Sequence, residues 1–313
     1  MPRRQKKEQR RLQMDSNKST LFKKTFLIFL PVIIAVLLQY GVMLFDILII
    51  FVRRLFSSER LGAVSLEHTL TLDYNQPMNQ AYLLLLQYAI FLAVYGLWYK
   101  KAFPDRAPEI KTTKRAYMFQ LKYLVVAGYM LQLTVDAALA LFKPLFPKLF
   151  GEYDSMISNV TGPGASLVGS LTVIFIAPAA EEFLFRGLIQ NYALGCFSQF
   201  FPQKKKRTCL IWAIVLQALL FGLYHGNIIQ GIYAFIIGLL LGAIACDHLL
   251  PAIVLHMAVN ASVFLVRGSW FDTTPRCVIL LMGGLIFSAL SLYLAIRYKY
   301  MPSHQDHSDT PEA

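Results

Sequence analysis

Glu181, Glu182 and Arg186 lie within six positions of one another, inside the apolar segment APAAEEFLFRGLIQ (177–190). Charged side chains are costly in such a segment, and in membrane proteins they mark functional sites. On a helix Glu182 and Arg186 share a face, so Arg186 would hold Glu182 as a carboxylate and fix the shape of the helix. Glu181 points about 100° away from this pair and is predicted to take another partner.

Two further polar pairs follow on later apolar segments, each at a spacing of four residues. Phe221 precedes His225 in LLFGLYHGN. His256 precedes Asn260 in IVLHMAVNA. At 1.5 Å per residue, Glu181, His225 and Asn260 lie about 21, 27 and 20 Å from the predicted cytoplasmic ends of their helices. These similar depths predict that the three segments meet in one cavity.

Together these side chains have the chemistry of peptide hydrolysis. Glu181 would take a proton from a water molecule that His225 orients, and that water would attack a peptide carbonyl. His256 and Asn260 would donate hydrogen bonds to the oxyanion that forms. These four are the predicted catalytic residues. The predicted supporting residues are Glu182, Arg186 and Phe221.

A zinc ion is the alternative way to activate the water. Zinc needs roughly three protein ligands and a water, and Glu181, His225 and His256 could supply the ligands. They would come from three separate helices, and the HExxH spacing of many zinc proteases is absent from the sequence.

The composition predicts an all-α protein that crosses a membrane several times. Hydrophobic residues make up 56% of the 313 residues and charged residues only 15%, whereas a soluble domain carries about a quarter charged residues. The apolar runs are continuous rather than alternating, which argues against a β-barrel. About eight transmembrane helices are predicted, with the catalytic cavity formed by the fourth, fifth and seventh. The predicted spans are 25–52, 81–99, 123–142, 165–180 with its continuation, 210–224, 228–246, 249–266 and 277–296.

The net charge of +12 comes mainly from basic runs near the ends of the spans. Nine lysines and arginines lie within residues 1–24, and four more form the run KKKR at 204–207. The positive-inside rule then predicts that both termini lie in the cytoplasm. We expect a multi-pass protein of the plasma membrane. The basic tail is interpreted as a topology determinant that touches anionic lipid, not as a nucleic-acid-binding arm.

Polar chemistry is concentrated in the second half of the sequence. In the first half, Asp46 and Asp136 have no partner at helical spacing, and we interpret both as structural or interfacial. The predicted regions are a basic cytoplasmic tail at 1–24, an N-terminal transmembrane region at 25–160, a protease core at 161–298 and a polar C-terminal tail at 299–313.

The three motifs together are similar to those of a known family. EEFLFR, FGLYH and HMAVN resemble the EExxxR, FxxxH and HxxxN motifs of the CPBP intramembrane proteases. This family includes the type II CAAX prenyl endopeptidases and the bacterial abortive-infection-like proteases. The resemblance covers about residues 166–266, and EEFLFRGLIQ is more similar to the bacterial branch.

The resemblance implies a membrane-embedded endopeptidase with Glu181 as the base, His225 as its partner, and His256 and Asn260 as oxyanion donors. Family members have been described both as metalloproteases and as glutamic-type proteases. We favour the glutamic type, without a cofactor, because a carboxamide is an oxyanion donor more readily than a zinc ligand. The expected partners are a membrane-associated peptide or protein substrate and the lipid bilayer, with no nucleic acid.

Two interpretations without proteolysis compete with this one. A scaffold or bacteriocin-immunity protein of protease ancestry would bind its target without cutting it. A proton-linked transporter would show repeats and broken helices in both halves, whereas the polar residues here fall almost entirely in one half.

Overall fold

The fold is described by a computed structural model that covers residues 3–56, 66–104, 113–162, 165–266 and 268–299. Within these ranges every regular element is a helix, which confirms the all-α prediction. The α-helices are α1 (Arg3–Phe56), α2 (Leu66–Tyr74), α3 (Pro77–Ala102), α4 (Lys114–Phe142), α5 (Pro147–Thr161), α6 (Leu167–Leu171), α7 (Ala177–Glu182), α8 (Gln190–Phe200), α9 (Lys206–Tyr224), α10 (Ile228–Ile244), α11 (Leu250–Ser262) and α12 (Thr274–Lys299).

Helices of membrane-spanning length occur throughout the described part of the chain. The two shorter apolar helices, α10 and α11, account for the sixth and seventh of the eight predicted apolar segments. Large apolar side chains face outward on the long helices: Leu97 on α3 and Ile279 on α12 are each 70% exposed. Lipid accommodates such surfaces, so the chain is a multi-pass membrane protein. Six helical segments there are long and apolar enough to span: Lys23–Phe56, Pro77–Ala102, Lys114–Leu145, Leu167–Phe200, Lys206–Tyr224 and Thr274–Lys299.

The chain forms two compact units, and each is built from two separate stretches of sequence. The first unit combines Met1–Phe103 with Tyr153–Ala243. The second combines Pro104–Glu152 with Ile244–Ala313. The four regions predicted from the sequence stay a prediction.

The helix that carries Glu181 runs from Leu167 to Phe200, and we call it the glutamate helix. It contains two π-helical segments, Thr172–Ile176 and Phe183–Ile189, on either side of α7. Pro178 follows the first segment; its ring lacks an N–H and crowds the carbonyl four residues earlier, which favours a wider backbone turn there. Such π segments occur frequently at functional sites, because they change the direction of the side chains that follow them.

The second π segment lies in the core of the first unit. Asn191 Nδ2 donates to the carbonyls of Arg186 (3.2 Å) and Gly187 (2.7 Å), which satisfies main-chain acceptors where the helix widens. The segment packs against α1 and α3, which lie before it in the chain. The buried side chains of this core include Ile28, Ala35, Phe91, Tyr95, Leu184, Phe185, Leu188 and Ile189.

In the second unit, α4 packs against both α11 and α12 through glycines. A β-carbon at Gly128 would lie 2.6 Å from the β-carbon of Ala258 and 2.7 Å from the carbonyl oxygen of Leu255. A β-carbon at Gly284 would overlap the Thr134 hydroxyl. These glycines allow the helix backbones to approach closely, as small residues do in membrane proteins.

The structure corrects the interpretation of Asp136 as an acidic residue without a partner at helical spacing. Gln132 Nε2 donates to Asp136 Oδ1 at 2.8 Å, one helical turn away on α4. Asp46 is 92% buried and accepts a hydrogen bond of 2.8 Å from Asn79, which joins α1 to α3. A carboxamide at i−4 can donate to a carboxylate just as a charged residue at that spacing can.

Candidate active site

Glu181 and Tyr88 form a hydrogen bond that links two helices of the first unit. The Tyr88 hydroxyl donates to Glu181 Oε1 at 2.8 Å, from α3 to the glutamate helix. The glutamate is 6% exposed. The Tyr88 ring packs edge-on against Phe91, with 5.7 Å between the ring centroids. One carboxylate oxygen of Glu181 therefore has a fixed neutral donor.

Glu182 and Arg186 form the ion pair that the sequence predicts. Arg186 donates to Glu182 Oε1 at 2.8 Å, and both side chains have no solvent-exposed surface. Arg186 also donates to the main-chain carbonyl of Gly238 on α10, at 3.3 Å. Its guanidinium carbon lies 4.3 Å from the ring centroid of Phe221. A buried charge needs this many partners, because removing it from water is costly.

Phe221 connects this ion pair to His225. Its ring contacts the imidazole of His225 edge-on, with a centroid separation of 4.7 Å and an interplanar angle of 89°. Its main-chain carbonyl lies 2.7 Å from His225 Nδ1. A carbonyl can only accept, so Nδ1 carries the proton and the lone pair of the neutral ring is on Nε2. The phenylalanine of the second motif thus orients the histidine with both its ring and its backbone.

Glu181 and His225 line one cavity of about 380 Å³ in the first unit. The cavity also has walls from α1 and α3, so the N-terminal helices contribute to the site as well as the fourth and fifth spans. Its apolar walls are Val42, Met43, Leu83 and Leu84, and its polar walls are Gln39, Tyr74, Gln80, Gln87, Tyr88, Glu181, Tyr224, His225 and Gln230.

His256 and Asn260 lie on α11, in the second compact unit. They are four residues apart on one helix, as predicted, and His256 is 4% exposed. The structure therefore brings together five of the predicted residues in the first unit: Glu181, Glu182, Arg186, Phe221 and His225. That His256 and Asn260 share their cavity stays a prediction.

The donor set of the first unit does not by itself fit a zinc ion. Among its described residues, no three histidine, cysteine or acidic side chains are grouped to hold a metal. The zinc alternative requires His256, which belongs to the second unit.

Two buried glutamines behind the ion pair were not predicted from the sequence. Gln217 Nε2 donates to the Gly238 carbonyl at 2.9 Å, and Gln190 Nε2 donates to the Gly242 carbonyl at 3.0 Å. Both glutamines are at least 97% buried. Gln190 and Arg186 thus join α10 to the glutamate helix, and Gln217 joins α10 to α9. An uncharged residue in an apolar span is a weaker sequence signal than a carboxylate, and so is the lone hydroxyl of Tyr88.

A comparison with protein-family models finds a match for the part of the chain that contains Glu181, Arg186 and His225. Residues 163–262 match the model described as type II CAAX prenyl endopeptidase Rce1-like. The chain carries an Rce1-like domain. This match confirms the resemblance seen in the three motifs. No curated protein and no solved structure matches the chain.

The Rce1-like domain does not include the whole cavity. It spans 163–262 and so holds the ion pair, both histidines and Asn260. Tyr88, Gln39 and Gln87 come from helices that precede the domain. The domain's carboxylate and imidazole thus share a cavity with neutral groups from outside it.

Proposed function

We propose that this protein is an intramembrane endopeptidase that hydrolyses peptide bonds of membrane-associated peptides or protein tails. The observation that carries the proposal is the shared cavity of Glu181 and His225, two groups from different helices inside a membrane protein. The Rce1-like domain supports the same class of activity. A carboxylate and an imidazole that line one cavity are a pair suited to general acid–base chemistry.

In the proposed reaction Glu181 takes a proton from a water molecule, and the oxygen of that water attacks the carbonyl carbon of the substrate. His225, with its lone pair on Nε2, accepts a hydrogen bond from the same water and orients it. His256 and Asn260 are proposed to donate to the oxyanion of the tetrahedral intermediate. Collapse of that intermediate breaks the C–N bond, and Glu181 returns its proton to the leaving amine.

Tyr88 and the supporting residues hold the side chains of Glu181 and His225 in position. The hydrogen bond from Tyr88 occupies Glu181 Oε1. Phe221 fixes the ring of His225, and the Glu182–Arg186 pair fixes the glutamate helix on which Glu181 lies.

No metal takes part in the proposed step. The proposal also keeps the plasma membrane as the location, with both termini in the cytoplasm, and a membrane peptide as the partner. Chelation with EDTA is expected to leave turnover unchanged. Activity lost on chelation and restored by stoichiometric zinc would assign the water to a metal instead.

The decisive experiment compares the native protein with Glu181→Gln and His225→Ala in liposomes. Peptides of the host membrane are profiled in cells that produce each form, and a peptide that accumulates uncut only with the variants identifies the substrate. With that peptide, each variant is expected to lower kcat by about 10²–10⁴-fold, the usual contribution of a positioned acid or base. Equal turnover by the native protein and Glu181→Gln would refute the proteolytic assignment and favour a binding protein.

A further inference from the structure

Four glutamine side chains from three helices line the cavity beside Glu181. Gln39 belongs to α1, Gln80 and Gln87 to α3, and Gln230 to α10. Gln80 donates to the main-chain carbonyl at the end of α2, at 2.6 Å. Within the described part of the chain, the carboxamides of the other three make no hydrogen bond to another residue.

Three buried glutamines outside the cavity donate hydrogen bonds to the protein itself. Gln190 and Gln217 donate to carbonyls of α10 at 3.0 and 2.9 Å, and Gln132 donates to a carboxylate on α4 at 2.8 Å. Each of these joins two parts of the fold or caps a charge. Gln39, Gln87 and Gln230 make no such hydrogen bond to a described residue, and they line the same space as Glu181 and His225.

A substrate cut inside a membrane brings unpaired main-chain groups into this space. Its peptide bonds must leave the helix around the bond that is cut, so that water can reach the carbonyl. The N–H and C=O groups released there have no water to bind in apolar surroundings, and each is costly if it stays unpaired. A carboxamide has two donor hydrogens and two acceptor lone pairs without a charge, so it can pair with either group.

We propose that Gln39, Gln87 and Gln230 form a subsite that binds the main chain of an unwound substrate segment beside Glu181. The proposal rests on the peptidase function and adds a substrate class to it. The substrate is an uncharged, extended peptide segment that is recognised by its amide groups, with little discrimination among its side chains.

The test measures binding rather than turnover. Full-length protein with Glu181→Gln is placed in nanodiscs, so that bound peptide is not consumed. The probe is a fluorescent 20-residue Leu/Ala peptide with a central Gly-Gly-Gly segment and lysine ends. A second probe replaces the three central amides with esters, which removes N–H donors and keeps the shape. Both are titrated against the protein and against the triple variant Gln39→Leu, Gln87→Leu, Gln230→Leu.

We expect the triple variant to bind the amide peptide about 10- to 100-fold more weakly, at roughly two- to fivefold for each of the three hydrogen bonds lost. The ester peptide should bind about 3- to 30-fold more weakly than the amide peptide when the glutamines are present. This preference for the amide should disappear in the triple variant, because the two changes remove the same hydrogen bonds. Gln76→Leu is the matched control, since Gln76 is exposed and caps α3 without a side-chain hydrogen bond.

Three results would overturn the subsite: no binding of the amide peptide, equal affinity of the triple variant, or an amide preference that survives in it. The single variant Gln87→Met is a second test that disturbs the fold less. Its loss of affinity for the amide peptide should be about a third of that of the triple variant, on a logarithmic scale. Failure of the peptidase assignment would instead appear as unchanged turnover in Glu181→Gln. The two outcomes are therefore distinguishable.

Discussion

The two parts of the chain that form the cavity contribute different kinds of polar group. The Rce1-like domain contributes the carboxylate and the imidazole of the cavity, Glu181 and His225, and also the neutral side chain of Gln230. The helices before the domain contribute neutral hydrogen-bonding groups: Gln39, Gln87 and Tyr88. The carboxylate and imidazole of the cavity thus belong to the domain, whereas Tyr88, which donates a hydrogen bond to Glu181, lies outside it.

A physical reason underlies this division. An ionised group in a membrane must have several partners, and the glutamate helix is the buried element that provides them. α1 and α3 have outward faces with exposed apolar side chains such as Leu44 (62%) and Leu97 (70%). A neutral carboxamide or hydroxyl is less costly to carry on such helices than a charge.

The largest effect on folding is expected from Arg186→Met. This change leaves Glu182 buried without its cation, which costs about 3–5 kcal/mol for a buried pair. The double variant Glu182→Gln, Arg186→Met should recover much of the loss, because it removes both charges. Folded yield after size exclusion and the thermal unfolding midpoint in detergent measure both variants.

The matched control is the ion pair of the N-terminal region. Arg54 donates to Asp73 at 2.5 and 2.6 Å, but both side chains are 26% exposed. Arg54→Met should therefore cost only about 0–1 kcal/mol. If the two arginine variants lost stability equally, or if Arg186→Met folded normally, the distinction between a buried and an exposed pair would be wrong here.

Tyr88→Phe tests whether the N-terminal helices act on the reaction. Loss of the hydroxyl releases Glu181 Oε1, and we expect kcat to fall about tenfold with KM nearly unchanged, which is about 1.4 kcal/mol of transition-state stabilisation. Steady-state kinetics on the peptide identified in cells measures both constants.

Tyr95→Phe is the control for this change. Tyr95 lies two helical turns along α3, packs on the same Phe91 and donates to the Pro31 carbonyl at 3.2 Å. Its loss should cost about 1 kcal/mol of stability and leave kcat unchanged. Equal kcat losses in the two variants would show that Tyr88 acts only through packing.

The sequence predicted the fold class and the charged part of the site because both leave strong signals. Long apolar runs predict helices of spanning length, and a spacing of four residues places Glu182 beside Arg186. The neutral part of the site leaves a weak signal in the sequence. Gln87 and Tyr88 resemble other polar residues of a span, and only the packing of a helix distant in sequence places them beside Glu181. The partners of Asp46 and Gln217 come from other helices, 33 and 21 residues away, and no local spacing predicts such contacts.

The packing of α10 on the glutamate helix can be tested with Gly242→Ala. A β-carbon there would overlap Gln217 Nε2 and lie 2.9 Å from Gln190 Oε1. We expect a loss of about 1–3 kcal/mol, as for other overpacked sites. Gly96→Ala on α3 is the control, because its β-carbon would meet nothing within 4 Å. That change should stabilise the helix by about 0.5–1 kcal/mol. A stable Gly242→Ala protein would contradict the close packing of α10.

The smallest effect concerns the Arg54–Asp73 pair and pH. The hydrogen bond from Arg54 outweighs the opposing effect of burial and holds the pKa of Asp73 below its usual 3.8. A lowered pKa gives stability that is complete above the pKa of the unfolded chain and is lost as the pH falls through the folded value. The free energy of unfolding of the native protein should therefore exceed that of Arg54→Gln by at most about 1 kcal/mol between pH 5 and 7. This difference should shrink below about pH 4, as the carboxylate is protonated. Unfolding midpoints of both proteins from pH 3 to 7 measure it, and a difference that grew toward low pH would mean that another group, not Asp73, responds to Arg54.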